Sequence, residues 1–280
     1  MEVIRTAKET QKKCIAWRAA GSRIGLVPTM GFLHEGHLSL VDIAKERADR
    51  IVSTIFVNPA QFGPQEDLER YPHDEAGDLA KLEAHGTDLV YCPPPKDVYP
   101  PNYQTRVSLE RLPQHLCGRS RPVHFGGVAT VVSKLFNICQ PTVAVFGQKD
   151  YQQLLVIRRM AADLNFPVEI VGGATFRETD GLAMSSRNAY LKPAERTAAP
   201  ALYEALCWAR DRVDAGERDA RQLHAGIVRR AEKAGGRIDY VCIVDAESLD
   251  DVDVITGPAQ ATLAVHFGAA RLIDNLRLTP

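Results

Sequence analysis

The chain has almost no net charge: 34 Lys and Arg residues stand against 35 Asp and Glu residues, for a formal charge of -1. No general basic field is available for a nucleic-acid backbone, so no nucleic-acid partner is expected. No uninterrupted apolar run approaches the roughly 18 residues that a membrane-spanning helix needs. The opening segment MEVIRTAKETQKKC also lacks the apolar stretch of a signal peptide. The expectation is no membrane and a cytoplasmic setting. Six cysteines, at positions 14, 92, 117, 139, 207 and 242, include no CxxC pair or other zinc-like spacing, and several lie in apolar runs. Reduced, mostly buried thiols fit that usage. Neither GxxxxGK[ST] nor GxGxxG occurs, so a bound nucleotide must be held by another device. Internal repeats and low-complexity tracts are missing as well.

What is present is a chain of 280 residues, 45% hydrophobic and 25% charged, the composition of a globular protein with one large core or two smaller ones. Strand and helix patterns alternate through its first two thirds. IGLV (24 to 27) runs up to Pro28, and from 37 onward apolar residues at 38, 41, 44 and 48 have helical spacing. IVSTIFV (51 to 57) is apolar and β-branched without alternation, as a parallel strand covered on both faces would be. A helix over 74 to 85 stopped by Gly86, the strand DLVYC and the proline-rich loop CPPPKDVYPP follow. Next come a helix over 126 to 138, a strand over 142 to 146, a helix over 150 to 164 and a strand over 168 to 172. This order predicts an α/β fold, a Rossmann-like open and mostly parallel sheet with helices on both faces. After GLAMSSRNAYL the texture changes to two Ala- and Arg-rich helices (194 to 215 and 219 to 234) and the strands DYVCIVD and ATLAVHF. That predicts a second, smaller α+β domain, with residues 1 to 175 forming the first and 176 to 280 the second.

The polar clusters fall in loops after predicted strands: PTMGFLHEGH, NPAQFGPQEDLERYP, GQKDYQQ and the segment leading to MSSRN. Loops at the carboxyl edge of a parallel sheet are expected to converge on one cleft. His34 and His37 stand three apart, not four as in HExxH, and no third metal ligand is suggested nearby. Three readings remain: surface histidines, metal ligands, or an anion cradle. The cradle has more support, because His37 opens a helix whose free N–H groups favour phosphate, and Gly31 and Gly36 allow close backbone approach. Lys149 is a compact cation at a strand-to-helix junction. Ser185, Ser186 and Arg187 offer hydroxyl donors and a forked guanidinium suited to phosphate oxygens. Gln61, Gln152 and Gln153 suit the hydroxyls and carboxylate of a small polar substrate.

HEGH with a later MSSRN resembles the paired HIGH and KMSKS-type signatures of the nucleotidylyltransferase superfamily. Within it, VPTMGFLHEGHLSLV, IFVNPAQFGPQEDLERYP, RPVHFGGVATVVSKLFN, FGQKDYQQL, DGLAMSSRNAYL and ARLIDN resemble the pantoate–β-alanine ligase family, across residues 24 to 275. The resemblance implies an ATP-dependent ligase that forms pantoyl adenylate from ATP and (R)-pantoate, then transfers the pantoyl group to β-alanine. It implies catalytic roles for His34, His37, Lys149, Ser185, Ser186 and Arg187. Pro28, Met30, Gly147, Asp150 and Met184 join them in an ATP site, and Met30, Gln61 and Gln153 hold pantoate. Mg²⁺ is implied as cofactor, with Asp78 at an acidic family position, along with a homodimer and a lid role for the smaller domain. A nucleotidyltransferase with a dinucleotide product and a nucleotide-binding module without turnover are the rival readings. The chain departs from the family pattern at Cys117, usually glutamate, at Val123, usually glycine, and at His73, usually arginine. Loop closure, metal binding and rate are where those departures bear.

Overall fold

The computed structural model describes residues 1 to 64 and 66 to 280. The chain divides into two compact units, one of residues 1 to 113, 121 to 148 and 153 to 174, the other of residues 114 to 120, 149 to 152 and 175 to 280.

The first unit contains β1 (Glu2–Ile4), α1 (Ala7–Ala19), β2 (Ile24–Thr29), α2 (Glu35–Lys45), β3 (Arg50–Ile55), α3 (Glu75–Ala84), β4 (Leu89–Tyr91) and α4 (Pro95–Val98). A short α5 (Leu116–Ser120) belongs to the second unit, and the first resumes with α6 (His124–Cys139), β5 (Val143–Gly147), α7 (Tyr151–Asp163) and β6 (Glu169–Gly173). The first two residues of α7 group with the second unit. The six strands form one parallel sheet in the order β1-β4-β3-β2-β5-β6. Order reverses between β2 and β5, the switch point at which open α/β sheets bind ligands.

Each central strand sends alternate residues to opposite faces. Leu26, Val52 and Phe146 join Val128, Phe136 and Ile157 in one core under α6 and α7, with Cys14 of α1. Val27, Ile51 and Val145 join Leu38, Val41 and Leu82 under α2 and α3. Both faces are thus covered, which is why the strands read as continuous apolar runs. Pro28 is tolerated inside β2 because β5 pairs only with Gly25 and Leu26, whereas β3 pairs along the whole of β2. A residue without an N–H fits where a strand has lost one neighbour.

The second unit has α8 (Pro193–Ala198), α9 (Ala201–Asp214), α10 (Ala220–Lys233) and an antiparallel sheet of β7 (Arg237–Asp245), β8 (Ala259–Phe267) and β9 (Ala270–Leu278) in that order. Leu202, Leu206, Leu223, Ile227, Ile243, Leu263 and Leu272 share its core. The single helix expected over 194 to 215 is two, because Pro200 has no N–H to continue the ladder and instead starts α9 as its N-cap. Asp219 caps α10, accepting from the backbone of Arg221 and Gln222. Among the described residues no helix is long and apolar enough to cross a membrane.

Gly127 lets α6 press directly on the turn after β3: a Cβ there would overlap the Ala60 carbonyl oxygen. Gly127→Ala is expected to destabilise the protein by about 1–3 kcal/mol through overpacking against fixed backbone. Equilibrium urea unfolding measures it, and an unchanged midpoint would contradict the contact.

Candidate active site

The turn from β2 to α2 is built on two successive left-handed residues, Gly31 at φ 84° and Phe32 at φ 51°. Glycine adopts that conformation freely and phenylalanine does not. The turn is held because it aims two backbone donors at one carboxylate: Phe32 N–H donates to Asp78 Oδ2 at 2.7 Å and Leu33 N–H to Asp78 Oδ1 at 2.7 Å. Lys81, one turn further along α3, donates to the Leu33 carbonyl at 2.7 Å. Gly31 is needed twice, since a Cβ would also stand 2.9 Å from Asp78 Oδ2. Asp78 is 1% exposed, and burial pushes its carboxyl above the usual range despite the opposing pull of the Leu33 and Phe32 donors and of Lys81.

This anchor sets the start of α2. His34 is the extended N-cap residue, and its N–H donates to His37 Nδ1 at 3.3 Å. Since Nδ1 accepts, the ring proton of neutral His37 lies on Nε2, which becomes a donor for an anion. The two rings are 4.1 Å apart, centroid to centroid, at 37°. They sit at a helix start whose first-turn N–H groups and positive dipole end also favour negative charge.

Gln61 lies in the 3₁₀ turn Pro59–Gln61 after β3, 7% exposed, with Nε2 3.2 Å from the sulfur of Met30. Its carbonyl oxygen meets His124 Nδ1 at 3.0 Å and Arg121 Nη2 at 3.4 Å. Arg121 also contacts His124 Nε2 at 3.3 Å and pairs with Glu66 at 2.6 Å. An arginine cannot accept and a carbonyl cannot donate, so the proton of His124 belongs on Nδ1. Burial raises the Glu66 carboxyl, but the hydrogen bonds and charge of Arg121 outweigh it and leave the group below its ordinary range.

Of the other residues singled out in the sequence, Pro28 is within β2, Gly147 ends β5 beside Gly173 of β6, and Gln153 is half-buried on α7. In the second unit Lys149 and Ser185 line one small recess with Asn188 and Asp274. Asn275 donates to the Lys149 carbonyl at 2.9 Å and accepts from Gln260 at 2.7 Å. Arg177 grips Asp274 with two bonds of 2.6 and 2.9 Å and stacks over Tyr203 at 3.6 Å. Ser185 caps the 3₁₀ turn Ser186–Tyr190, accepting from Arg187 N–H at 3.3 Å, and Ser186 is buried. Met184 N–H donates to the Phe176 carbonyl at 2.9 Å, and Asp150 closes the 3₁₀ turn Gln148–Asp150.

Gln152 differs from its sequence reading. Both ends of its amide hold α5 and the residue before it, accepting from Cys117 N–H at 3.0 Å and donating to the His115 carbonyl at 2.7 Å. It is thereby occupied as a brace. Cys117 is buried, with Sγ 3.2 Å from Tyr240 Oη; His73 and Val123 are exposed. Lys81, Arg121, His124, Arg177 and Asn275 were not singled out individually in the sequence. Only the motif segments RPVHF and ARLIDN carried a signal for three of them.

An open parallel sheet with helices on both faces, whose strand β2 at the switch point runs into a two-histidine helix start, defines a Rossmann-like α/β protein. The chain matches the model of the pantoate–β-alanine ligase family over residues 2 to 277. It is 52% identical over 285 residues to a pantothenate synthetase of Desulfatibacillum aliphaticivorans, covering 100% of both chains. It is 55% identical to that of Anaeromyxobacter dehalogenans, covering 99% of this chain and 98% of the relative. A crystal structure of pantothenate synthetase from Thermus thermophilus superposes with a TM-score of 0.94 at 44% identity over 100% of both chains. The Francisella tularensis pantoate–β-alanine ligase, solved with β-γ ATP and β-alanine, gives 0.84 at 31% identity, covering 99% of this chain and 97% of the other. The chain belongs to the pantoate–β-alanine ligase family.

Asp78→Ala leaves two buried N–H groups without their acceptor and releases a left-handed phenylalanine. A loss of about 2–5 kcal/mol is expected in urea unfolding, and less than about 1 kcal/mol would contradict the anchor. The lowered Glu66 carboxyl contributes stability that is present above its unfolded value of about 4.3 and is lost as pH falls through its lower folded value. Glu66→Gln is expected to flatten this acid limb, read from urea midpoints across the range.

Proposed function

We propose that the chain joins (R)-pantoate to β-alanine with consumption of ATP, through a pantoyl-adenylate intermediate. The observation that carries the reading is the turn from β2 to α2 in a chain of this family: His37 Nδ1 accepts from His34 N–H, which puts the proton of the neutral ring on Nε2 at a helix start. A carboxylate is a poor electrophile because its charge repels a nucleophile and oxide is a poor leaving group. In the first step a pantoate carboxylate oxygen attacks the α-phosphorus, the bond to the β-phosphate oxygen breaks, and pyrophosphate departs. In the second, the neutral amine of β-alanine attacks the acyl carbon, AMP leaves with the bonding pair, and the amine gives up a proton.

The protein's task is alignment and charge compensation. His34 and His37 donate to the phosphates and to charge growing on the α-phosphoryl group, with Pro28, Met30 and Gly147 lining the nucleotide site. Gln61, Gln153 and the Met30 backbone hold the pantoate oxygens. Lys149 supplies a point charge for phosphate and carboxylate, Ser185, Ser186 and Arg187 neutralise pyrophosphate, Asp150 reaches the ribose, and Met184 lies against the nucleotide. Among the described residues no group of three or more His, Cys, Asp or Glu side chains stands ready for a metal, and both Asp78 oxygens already receive backbone donors. The donor set therefore fits Mg²⁺ carried on the ATP phosphates, where it would neutralise charge, better than a protein cage. Asp78 serves this reading as the anchor of the histidine turn. The second unit as a lid, a homodimer and a cytoplasmic setting belong to the same reading through the family resemblance.

Pyrophosphate is expected from ATP and pantoate alone, with AMP and pantothenate following on addition of β-alanine. No pyrophosphate with pantoate would overturn the substrate assignment. His34→Ala and Lys149→Ala are each expected to slow adenylation by roughly a hundredfold or more with little loss of stability, since each removes a partner of transition-state charge. Near-normal adenylation in both would overturn their roles.

A further inference from the structure

Two adjacent residues of β9 hold the polar stretches of the second unit, and their hydrogen bonds have a fixed sense. Asn275 donates from Nδ2 to the Lys149 carbonyl at 2.9 Å and accepts at Oδ1 from Gln260 Nε2 at 2.7 Å. A carbonyl cannot donate, so Lys149 settles which end of the Asn275 amide faces it, and Asn275 in turn settles which end Gln260 presents. Gln260 and Asn275 are diagonal neighbours on one face of the β8–β9 ladder, Gln260 opposite Arg277 and Asn275 opposite Thr262. Gln260 is 3% exposed, and among the described residues no hydrogen-bond partner reaches its Oε1. A buried acceptor left over in this way costs stability. Leucine would fill the same place without that cost, so packing alone does not account for the amide. Asp274, the residue before Asn275, accepts the Asn275 N–H at 2.8 Å and also takes the fork of Arg177. Arg177 donates to the Gly181 carbonyl at 3.1 Å and pairs with Ala183 in an antiparallel bridge, close before Ser185.

From these contacts we infer that Asn275, clamped by Gln260, is a positioning residue for Lys149, and that together with Asp274 it sets the spacing between Lys149 and the Ser185–Arg187 turn. Lys149 carries its charge on a flexible stem, and its backbone lies in the 3₁₀ turn Gln148–Asp150, too short to hold itself in place. The Asn275 bond supplies the missing anchor. The Gln260 bond keeps the Asn275 amide from swinging away. Because Asp274 ties the segment that leads into Ser185, the two cationic and hydroxyl-bearing stretches are referred to one point on one strand. Lys149, Ser185 and Asp274 accordingly line the same recess. The unpaired oxygen of Gln260 is the local rule broken in favour of that placement. This inference rests on Lys149 acting in adenylation as proposed above.

The test is a double-mutant cycle on the full-length protein, with single-turnover pyrophosphate release from ATP and pantoate as readout. Asn275→Ala is expected to lower the maximal rate about tenfold, with the half-saturating concentrations of ATP and pantoate changed less than about twofold, since a misplaced charge partner is felt in the transition state. In a Lys149→Ala background the same substitution should add less than about twofold, because its effect passes through the ammonium already removed. Gln260→Leu, a change of similar volume, should lower the rate about two- to fivefold while the thermal midpoint holds, since the amide it removes already carries an unpaired oxygen; it serves alone if Asn275→Ala does not fold. Equal slowing by Asn275→Ala with and without Lys149, a full rate in both Asn275→Ala and Gln260→Leu, or a Gln260→Leu midpoint that falls in step with its rate would overturn the inference while leaving the function intact. Absence of pantoate-dependent pyrophosphate from the unmodified protein would overturn both.

Discussion

The first unit's site depends on one carboxylate. Asp78 gathers the Phe32 and Leu33 N–H groups, and that pair of bonds, with Lys81 on the Leu33 carbonyl, holds the left-handed turn at Gly31 and Phe32. The start of α2 inherits the turn: the extended backbone of His34, its N–H pointing at His37 Nδ1, and the tautomer that puts the ring proton of neutral His37 on Nε2. A buried acid on a neighbouring helix therefore decides the proton position on an imidazole it does not touch. The sheet supplies the platform, and α3 supplies the lock.

Much of the fold was legible because both periodicities are strong. IVSTIFV reads as a doubly covered parallel strand and becomes β3, and the helices over 74 to 85 and 219 to 234 appear within a residue or so of their expected ends. The sequence reading did not pick out β1, α1 or β9. β1 is only Glu2–Ile4, too short for a pattern; α1 is mostly polar with few buried positions; and in β9 charged residues interrupt the alternation while their neighbours are buried. Pro200 hid a break that helical spacing alone could not reveal.

The candidate residues were legible by type and spacing, and the groups that support them were not. His34, His37, Gln61 and Lys149 stand out by type and spacing, but the groups that orient them lie far along the chain: Asp78 and Lys81 for the turn, Arg121 and His124 for the Gln61 carbonyl, Asn275 for the Lys149 carbonyl. No local pattern announces a hydrogen bond across forty or a hundred residues. Gln152 and Gln153 make the same point from the other side. They are adjacent and chemically identical, yet Gln152 is consumed by His115 and Cys117 on its side of α7 while Gln153 belongs with the first unit.

The partial pairing of β2 and β5 has a mechanical consequence. Beyond Leu26 the two halves of the sheet have no ladder between them, and Pro28 could not extend one. The sheet therefore carries a seam along its middle, cross-linked at the amino end and unlaced at the carboxyl end, where the histidine turn begins. Small breathing motions have the least to oppose them at that seam, so compliance is concentrated beside the histidine turn while the flanking β3 and β6 pairings stay stiff.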